Sequence, residues 1–331
     1  MNTSPNLNVE ICGLGSYLPE KVLTNHDLEQ MVETSDEWIT KRTGIKERRI
    51  AAEDEATSDL AANAAREALA DAGMGAEDVE LIIVCTCSPD HLFPATACLV
   101  QEAIGADNAM AYDLEAACSG FVYGLMQGGA MVASGMTANA LVIGAETLSR
   151  LTDWTDRGSC ILFGDGAGAA VLKPSSGTGK IHFAEAGADG GRPDILKVPA
   201  GGSRNPCDSE TIKNSDHYMT LEGREVFKYA VGKLGELVDR IPEETDTSLQ
   251  EVDMIIPHQS NERIIRSVCE RAELPKSCAY MNIDRVGNTS AASIPLALHD
   301  AVRDGKLNRG DLLLLVAFGG GITWGSMLLT Y

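Results

Sequence analysis

No apolar run in this 331-residue chain approaches the ~20 residues that a membrane-spanning helix needs; the longest, at 312–318, is strand length. The first ten residues lack a basic segment followed by an apolar stretch, so no export signal is expected and the chain reads as cytoplasmic. Positive charge is also scarce. With 27 Lys and Arg against 48 Asp and Glu, the formal charge is −21, which disfavours nucleic acid and anionic membrane as partners. A paired disulfide framework is missing too. Nine cysteines, an odd number, are scattered through a large chain. Cys85 and Cys87 stand too close for a zinc pair and lie in an apolar run, and Cys269 and Cys278 have no second pair at ligand spacing, so no metal site is expected. There is no phosphate loop. The cluster Gly164, Gly166, Gly168 lacks the spacing and βαβ context of a dinucleotide fingerprint. Hydrophobic residues at 44% and charged residues at 23% exclude intrinsic disorder.

What is present reads as two similar halves. The segment 79–84 resembles 252–257, an acidic lead-in to a short apolar strand. The segment 111–114 resembles 279–283, and each is followed by a loop, a small-residue helix (about 119–135 and 289–305) and an apolar strand (140–144 and 312–316). The strands are continuous apolar runs, which implies burial on both faces under helices. A helix over 58–72 fits, with Ser58 as its cap, Leu60, Ala61, Ala64, Ala65, Ala68 and Leu69 on one face, and Gly73 as its stop. The expectation is a layered, duplicated α/β fold with a surface excursion at 187–206.

Three places can carry chemistry. Cys118 falls between a strand ending near Leu114 and a helix opening near Ser119, where free N–H groups and the helix dipole favour a thiolate; a small buried cysteine is the alternative. His258 ends the apolar strand 252–257, where α/β sheets place functional groups, although a loop-capping histidine would look the same. Asn288 occupies the matching position in the second half, as a helix cap or as a donor to a carbonyl oxygen that gains charge. Gly319, Gly320 and Gly321 follow a buried strand, either for close packing or to bring backbone near a substrate.

Taken together, the segments 115–120 (EAACSG), 257–259 (PHQ), 287–292 (GNTSAA) and 318–321 (FGGG) resemble the motifs of the β-ketoacyl-acyl carrier protein synthase III family. So do 43–49 (TGIKERR), 155–158 (TDRG), 163–168 (FGDGAG) and 223–228 (GREVFK), and the resemblance runs from about Val9 to the C-terminus. It implies the thiolase fold, a duplicated five-layered αβαβα arrangement with pseudo-twofold halves, here 1–174 and 175–331. It implies Cys118, His258 and Asn288 as the catalytic triad of a decarboxylative condensation between an acyl-CoA starter, such as acetyl-CoA, and a malonyl-carrier protein. The chain would be a homodimer with no permanently bound cofactor, taking coenzyme A thioesters as substrate. Trp38 and Arg157 would hold the adenine, Arg42 the pyrophosphate, and Asn261 would line the pantetheine channel. Lys228, Arg263, Arg266 and Arg271 would dock the acidic carrier, with Glu270 standing where the family has a second basic residue beside Arg271. Phe93, Leu148, Leu162, Leu221, Phe318, Gly319 and Gly320 would shape the acyl pocket, Phe93 across the dimer interface and Phe318 by crowding the malonyl carboxylate. The alternative is a specialised acyltransferase of secondary metabolism with the same triad.

Overall fold

Alternation along the central strands dictates the layering. In the strand β2 (Leu81–Cys85), Leu81, Ile83 and Cys85 pack into one apolar cluster while Ile82 and Val84 pack into another on the opposite face. The strand at 312–319 repeats the pattern: Leu313, Leu315 and Ala317 share the first cluster, and Leu314, Val316 and Phe318 belong to a third. Two sheets buried on both faces, with a common core between them, therefore make up the computed structural model, which describes residues 7–331. The reading of the N-terminus as free of an export signal rests partly on residues 1–6, which lie outside the described residues.

The first sheet joins β1 (Val9–Tyr17), β2, β3 (Met110–Leu114), β4 (Ala140–Thr147) and β5 (Asp165–Pro174) in the order β1-β5-β4-β2-β3. The second joins β6 (Lys180–Ala188), β7 (Met254–Pro257), β8 (Leu312–Gly319) and β9 (Thr323–Thr330) in the order β6-β9-β8-β7. The strand directions match one for one: β1/β5 and β5/β4 are antiparallel and β4/β2 is parallel, as are β6/β9, β9/β8 and β8/β7 in turn. The second sheet has no full counterpart of β3. The expected strand at 279–283 is one parallel bridge, Ile255 to Ala279. The cause is Gln259, whose side-chain amide donates to Tyr280 O at 3.3 Å and accepts from Asn282 N at 3.2 Å, taking up backbone groups that a ladder would otherwise use.

Between the sheets lie the helices α4 (Gly120–Ala133) and α7 (Ser293–Arg303), whose Phe121, Leu125, Ile294 and Leu298 fill the common core. The helices α2 (Thr57–Ala72) and α3 (Thr96–Ile104) cover the outer face of the first sheet, and α5 (Gly223–Glu244) and α6 (Glu262–Arg271) that of the second. Helix, sheet, helix, sheet, helix makes five layers. Helix α2 starts one residue before the expected 58–72, and Ser58 does not cap it. Ala56 stands at the N-cap, and the Asp59 carboxylate takes its backbone N–H at 2.8 Å. The Ser58 hydroxyl instead donates to Asp90 at 2.6 Å. The helix ends as expected on Gly73 in the left-handed region. The excursion at 187–206 returns to the body through a two-residue strand, Leu196–Lys197, paired with Thr220–Leu221.

Candidate active site

Cys118 is presented by a tight turn. After β3 ends at Leu114, Glu115 accepts the Ala117 N–H at 2.9 Å, Ala117 adopts φ 46°, and a single 3-10 turn leads into α4. A side chain in the left-handed region costs about 1–3 kcal/mol and persists where the surroundings over-determine it. The second half repeats the device at Ser290, φ 47°, ahead of α7. Gly319, at the end of β8, lies against the first turn: a Cβ there would sit 2.7 Å from Cys118 N and 2.9 Å from Thr323 Oγ1. Only glycine lets the two strands' ends meet at this distance.

His258 follows β7, with its backbone N–H bonded to Val316 O at 2.8 Å, and its ring is buried. Asn288 is tied between strands by its own N–H to Leu162 O at 2.9 Å and by Gly164 N–H to its carbonyl at 3.0 Å. Its side-chain Oδ1 accepts the Ser290 N–H at 2.9 Å, which leaves the Nδ2 hydrogens for a ligand. Cys118, His258 and Asn288 all line one cavity of about 640 Å3, together with Phe318 and Gly319. That volume is typical of a small-molecule site.

Burial governs the ionisation here. The Cys118 thiol is pushed up to about 12, chiefly by desolvation, against the pull of a hydrogen bond from Ser290. Burial thus works against the thiolate that the helix terminus was expected to favour, and the protonated thiol is the favoured form at neutral pH. Burial also depresses His258 to about 3, so its imidazole is neutral. Glu146, wholly buried behind the Cys118 turn, accepts from Ser88 Oγ, from Thr86 Oγ1 at 3.1 Å and from Cys87 N at 3.2 Å. Desolvation raises its carboxyl above the usual range, while hydrogen bonds from Ser88, Ser290 and Cys87 oppose the rise.

At the cavity's mouth, Trp38 of helix α1 (Asp36–Thr43) lies between two guanidiniums, with Arg42 Cζ 5.2 Å and Arg157 Cζ 5.1 Å from its ring centroid. Asn261 caps α6 through Arg263 N–H at 2.9 Å and donates to Arg42 O at 3.1 Å, so it ties α6 to Arg42 rather than leaving its amide free. Leu162, Leu221 and Arg263 also line the cavity, and Arg263 lies over the Phe227 ring.

Several expected site residues stand elsewhere. Leu148 is buried but does not line the cavity, and Gly320 packs on Ala117 and Leu196 outside the lining. Phe93 is 87% exposed, so it takes no part in this chain's own cavity. Arg266 pairs with Glu262 and Arg271 with Asp239, so two of the four docking candidates are neutralised within the chain. Lys228 lines a separate groove with Arg192 and Glu225. Leu196, Ile161 and Phe163 also line the cavity; Leu196 arrives by the expected excursion at 187–206, whose return into the cavity no local pattern signals. Among the described residues no group of His, Cys, Asp and Glu is arranged to hold a metal, and no helix is long and apolar enough to cross a membrane.

Comparison with known proteins agrees with this layout. Residues 112–190 match the family model of 3-oxoacyl-[acyl-carrier-protein] synthase III, and residues 243–331 match that of its C-terminal part. A β-ketoacyl-[acyl-carrier-protein] synthase III of Caldanaerobacter subterraneus is 52% identical over 322 residues, 97% of each chain. The crystal structure of 3-oxoacyl-[acyl-carrier-protein] synthase III from Aquifex aeolicus superposes with a TM-score of 0.90 at 47% identity, covering 98% of this chain and 100% of the other. A priming β-ketosynthase of a polyketide pathway superposes with a TM-score of 0.90 at 31% identity, covering 100% of this chain and 98% of the other. With its thiolase fold, its duplicated sheets and a relative this similar over nearly the whole length, the chain belongs to the β-ketoacyl-[acyl-carrier-protein] synthase III family of acyl-transferring enzymes.

Proposed function

We propose that this protein condenses an acyl-CoA starter, acetyl-CoA in the simplest case, with a malonyl-acyl carrier protein, and so opens type II fatty acid synthesis. The observation that carries this reading is the meeting of Cys118, His258 and Asn288 in one cavity whose mouth holds Trp38 and two arginines.

In the first stage Cys118 Sγ attacks the thioester carbonyl. The bond from acyl carbon to the coenzyme A sulfur breaks, and the thiol hydrogen of Cys118 leaves on coenzyme A, so proton and acyl group change places between two thiols. In the second stage the malonyl group loses carbon dioxide. The electron pair of the broken C–C bond moves onto the thioester oxygen as an enolate, held by hydrogen bonds from His258 and Asn288 at about 3 kcal/mol for a well-placed donor. The enolate carbon then attacks the Cys118 thioester carbonyl, the acyl carbon–Cys118 sulfur bond breaks as β-ketoacyl-carrier protein departs, and the released thiolate takes a proton from solvent water. Phe318, 5% exposed on the cavity wall, crowds the malonyl carboxylate.

Coenzyme A is a substrate in this scheme, not a resident cofactor. An adenine stacking on Trp38 takes the place that one of the two guanidiniums occupies, and the displaced arginine is then available to phosphate. Carrier docking falls to Arg263 and Lys228, since Arg266 and Arg271 are engaged. Arg263→Glu should raise KM for malonyl-carrier protein several-fold and leave acylation by acetyl-CoA unchanged; unchanged carrier kinetics would refute the docking assignment. The remaining parts of the reading are a cytoplasmic homodimer of chains with halves 1–174 and 175–331, in which the exposed Phe93 reaches the partner's acyl pocket. Likeness to a polyketide priming enzyme supports a second reading, a condensing enzyme of secondary metabolism. Incubation with acetyl-CoA and malonyl-carrier protein, with the carrier products weighed, tests both. Acetoacetyl-carrier protein supports the first reading, and activity confined to other starters or acceptors supports the second.

A further inference from the structure

We propose that Ser293 is a positioning residue that locks His258 in the tautomer carrying its hydrogen on Nε2, so that His258 serves the reaction as a hydrogen-bond donor and never as the base for Cys118. The inference deepens the condensing reading and rests on it for the chemistry, though not for the tautomer.

Ser293 opens α7, and its Oγ lies 2.7 Å from His258 Nδ1 and 3.3 Å from Gln259 N. A backbone N–H can only donate, so the Gln259 contact takes a lone pair of the Ser293 oxygen. The hydroxyl hydrogen then needs an acceptor. Among the described residues the only acceptor within reach of Ser293 Oγ is His258 Nδ1. An imidazole whose Nδ1 accepts must carry its hydrogen on Nε2. Both side chains are buried, Ser293 at 0% and His258 at 3% exposure, so no exchange with bulk water loosens the pair. Burial keeps the ring neutral as well, and no charged neighbour opposes it.

The consequence fits the balance of the reaction. The first stage leaves no net proton on the protein, because the Cys118 hydrogen ends on coenzyme A, and an imidazole with hydrogen on Nε2 and its Nδ1 lone pair turned to Ser293 has no lone pair free to take it. The second stage needs donors. Asn288 supplies its Nδ2 hydrogens, having spent Oδ1 on Ser290 N–H, and a locked His258 supplies Nε2–H from the same cavity. A free imidazole would spend part of its time with a lone pair on Nε2, which repels an enolate oxygen.

The test uses the full-length protein labelled with 15N-histidine. Long-range proton–nitrogen spectra distinguish the two neutral tautomers and the imidazolium, and the His258 signals are identified by their loss in His258→Asn. The wild type should show the Nε2–H pattern without titration through neutral pH. Ser293→Ala should show mixed tautomers and a condensation kcat about tenfold lower, the worth of one neutral hydrogen bond, with acylation of Cys118 by acetyl-CoA unchanged. Ser293→Thr, which keeps the hydroxyl, should restore both. An Nδ1–H or imidazolium pattern in the wild type overturns the proposal, as does Ser293→Ala with wild-type spectra and both stages slowed equally. If the wild type made no β-ketoacyl product but its Nε2–H pattern were lost in Ser293→Ala, the condensing reading would fall and the Ser293 assignment would stand.

Discussion

Replacing Gly319 by alanine probes how tightly Cys118 is held. The added methyl carbon would lie 2.7 Å from Cys118 N, 2.9 Å from Thr323 Oγ1 and 3.2 Å from Ala116 O. Contacts below 3.0 Å are essentially never seen for a real Cβ, so the chain must open by roughly half an ångström. Thr323 cannot simply rotate away, because its hydroxyl is bonded to Ala116 O at 2.8 Å, in the same turn. Part of the displacement therefore reaches Cys118. Overpacking of this kind costs about 1–3 kcal/mol of stability, which a fold of this size survives. A sub-ångström shift of the reacting sulfur should lower the rate of acylation by about ten- to a hundredfold. With coenzyme A held at Trp38, as proposed, acyl-CoA binding should be unaffected, so kcat falls at constant KM. Gly320→Ala is the control: its methyl would meet nothing closer than 3.5 Å, and wild-type kinetics are expected. Single-turnover acylation followed by intact mass reads both variants. Wild-type acylation in folded Gly319→Ala would refute the close approach, and equal losses in the two variants would refute its specificity.

Three more outcomes follow from the structure. Trp38→Ala removes the ring between Arg42 and Arg157, and KM for acetyl-CoA should rise about tenfold, while KM for acetyl-pantetheine, which lacks adenine, should not move; equal effects on both would contradict an adenine site. Arg48, fully buried, donates to Leu23 O at 3.2 Å, Asn25 Oδ1 at 3.0 Å and Ile161 O at 2.7 Å, so Arg48→Met should cost about 3 kcal/mol in urea unfolding, and a loss under about 1 kcal/mol would contradict that role. Because burial pushes the Cys118 thiol up to about 12, the thiolate fraction rises throughout the range below that value, and the rate of Cys118 alkylation by iodoacetamide should climb with pH from neutrality past pH 9 without levelling; a plateau below pH 8 would show that the helix terminus outweighs burial.

Much of the layering was legible in the sequence because periodicity reports burial directly. The continuous run at 312–318 becomes β8, and the echo of 79–84 in 252–257 becomes the matching strands β2 and β7 of the two sheets. The pattern failed where side chains replace backbone. The segment 279–283 looks like a strand, but Gln259 takes its hydrogen bonds. Ser58 has the composition of a cap, yet Asp59 does that work while Ser58 turns to Asp90, a partner 32 residues away. The motif residues Cys118, His258 and Asn288 converge on one cavity, as the resemblance implies. Their ionisation was not legible. A helix terminus is visible in sequence, but the desolvation that opposes it depends on packing from both halves. The pairing of the docking candidates was not legible for a similar reason: the partners of Arg266 and Arg271 are set by helix register and by the packing of α5 on α6. Ser293 carries no motif of its own, and only its distance to His258 marks it.

The central claim, that Cys118 carries the acyl group, is tested most directly by weighing the intact protein after incubation with acetyl-CoA, beside Cys118→Ala. One acetyl group on the wild type and none on the variant is the predicted result. An acetyl group retained on Cys118→Ala, or none on the wild type with acetyl-CoA or with any longer or branched acyl-CoA, would contradict it.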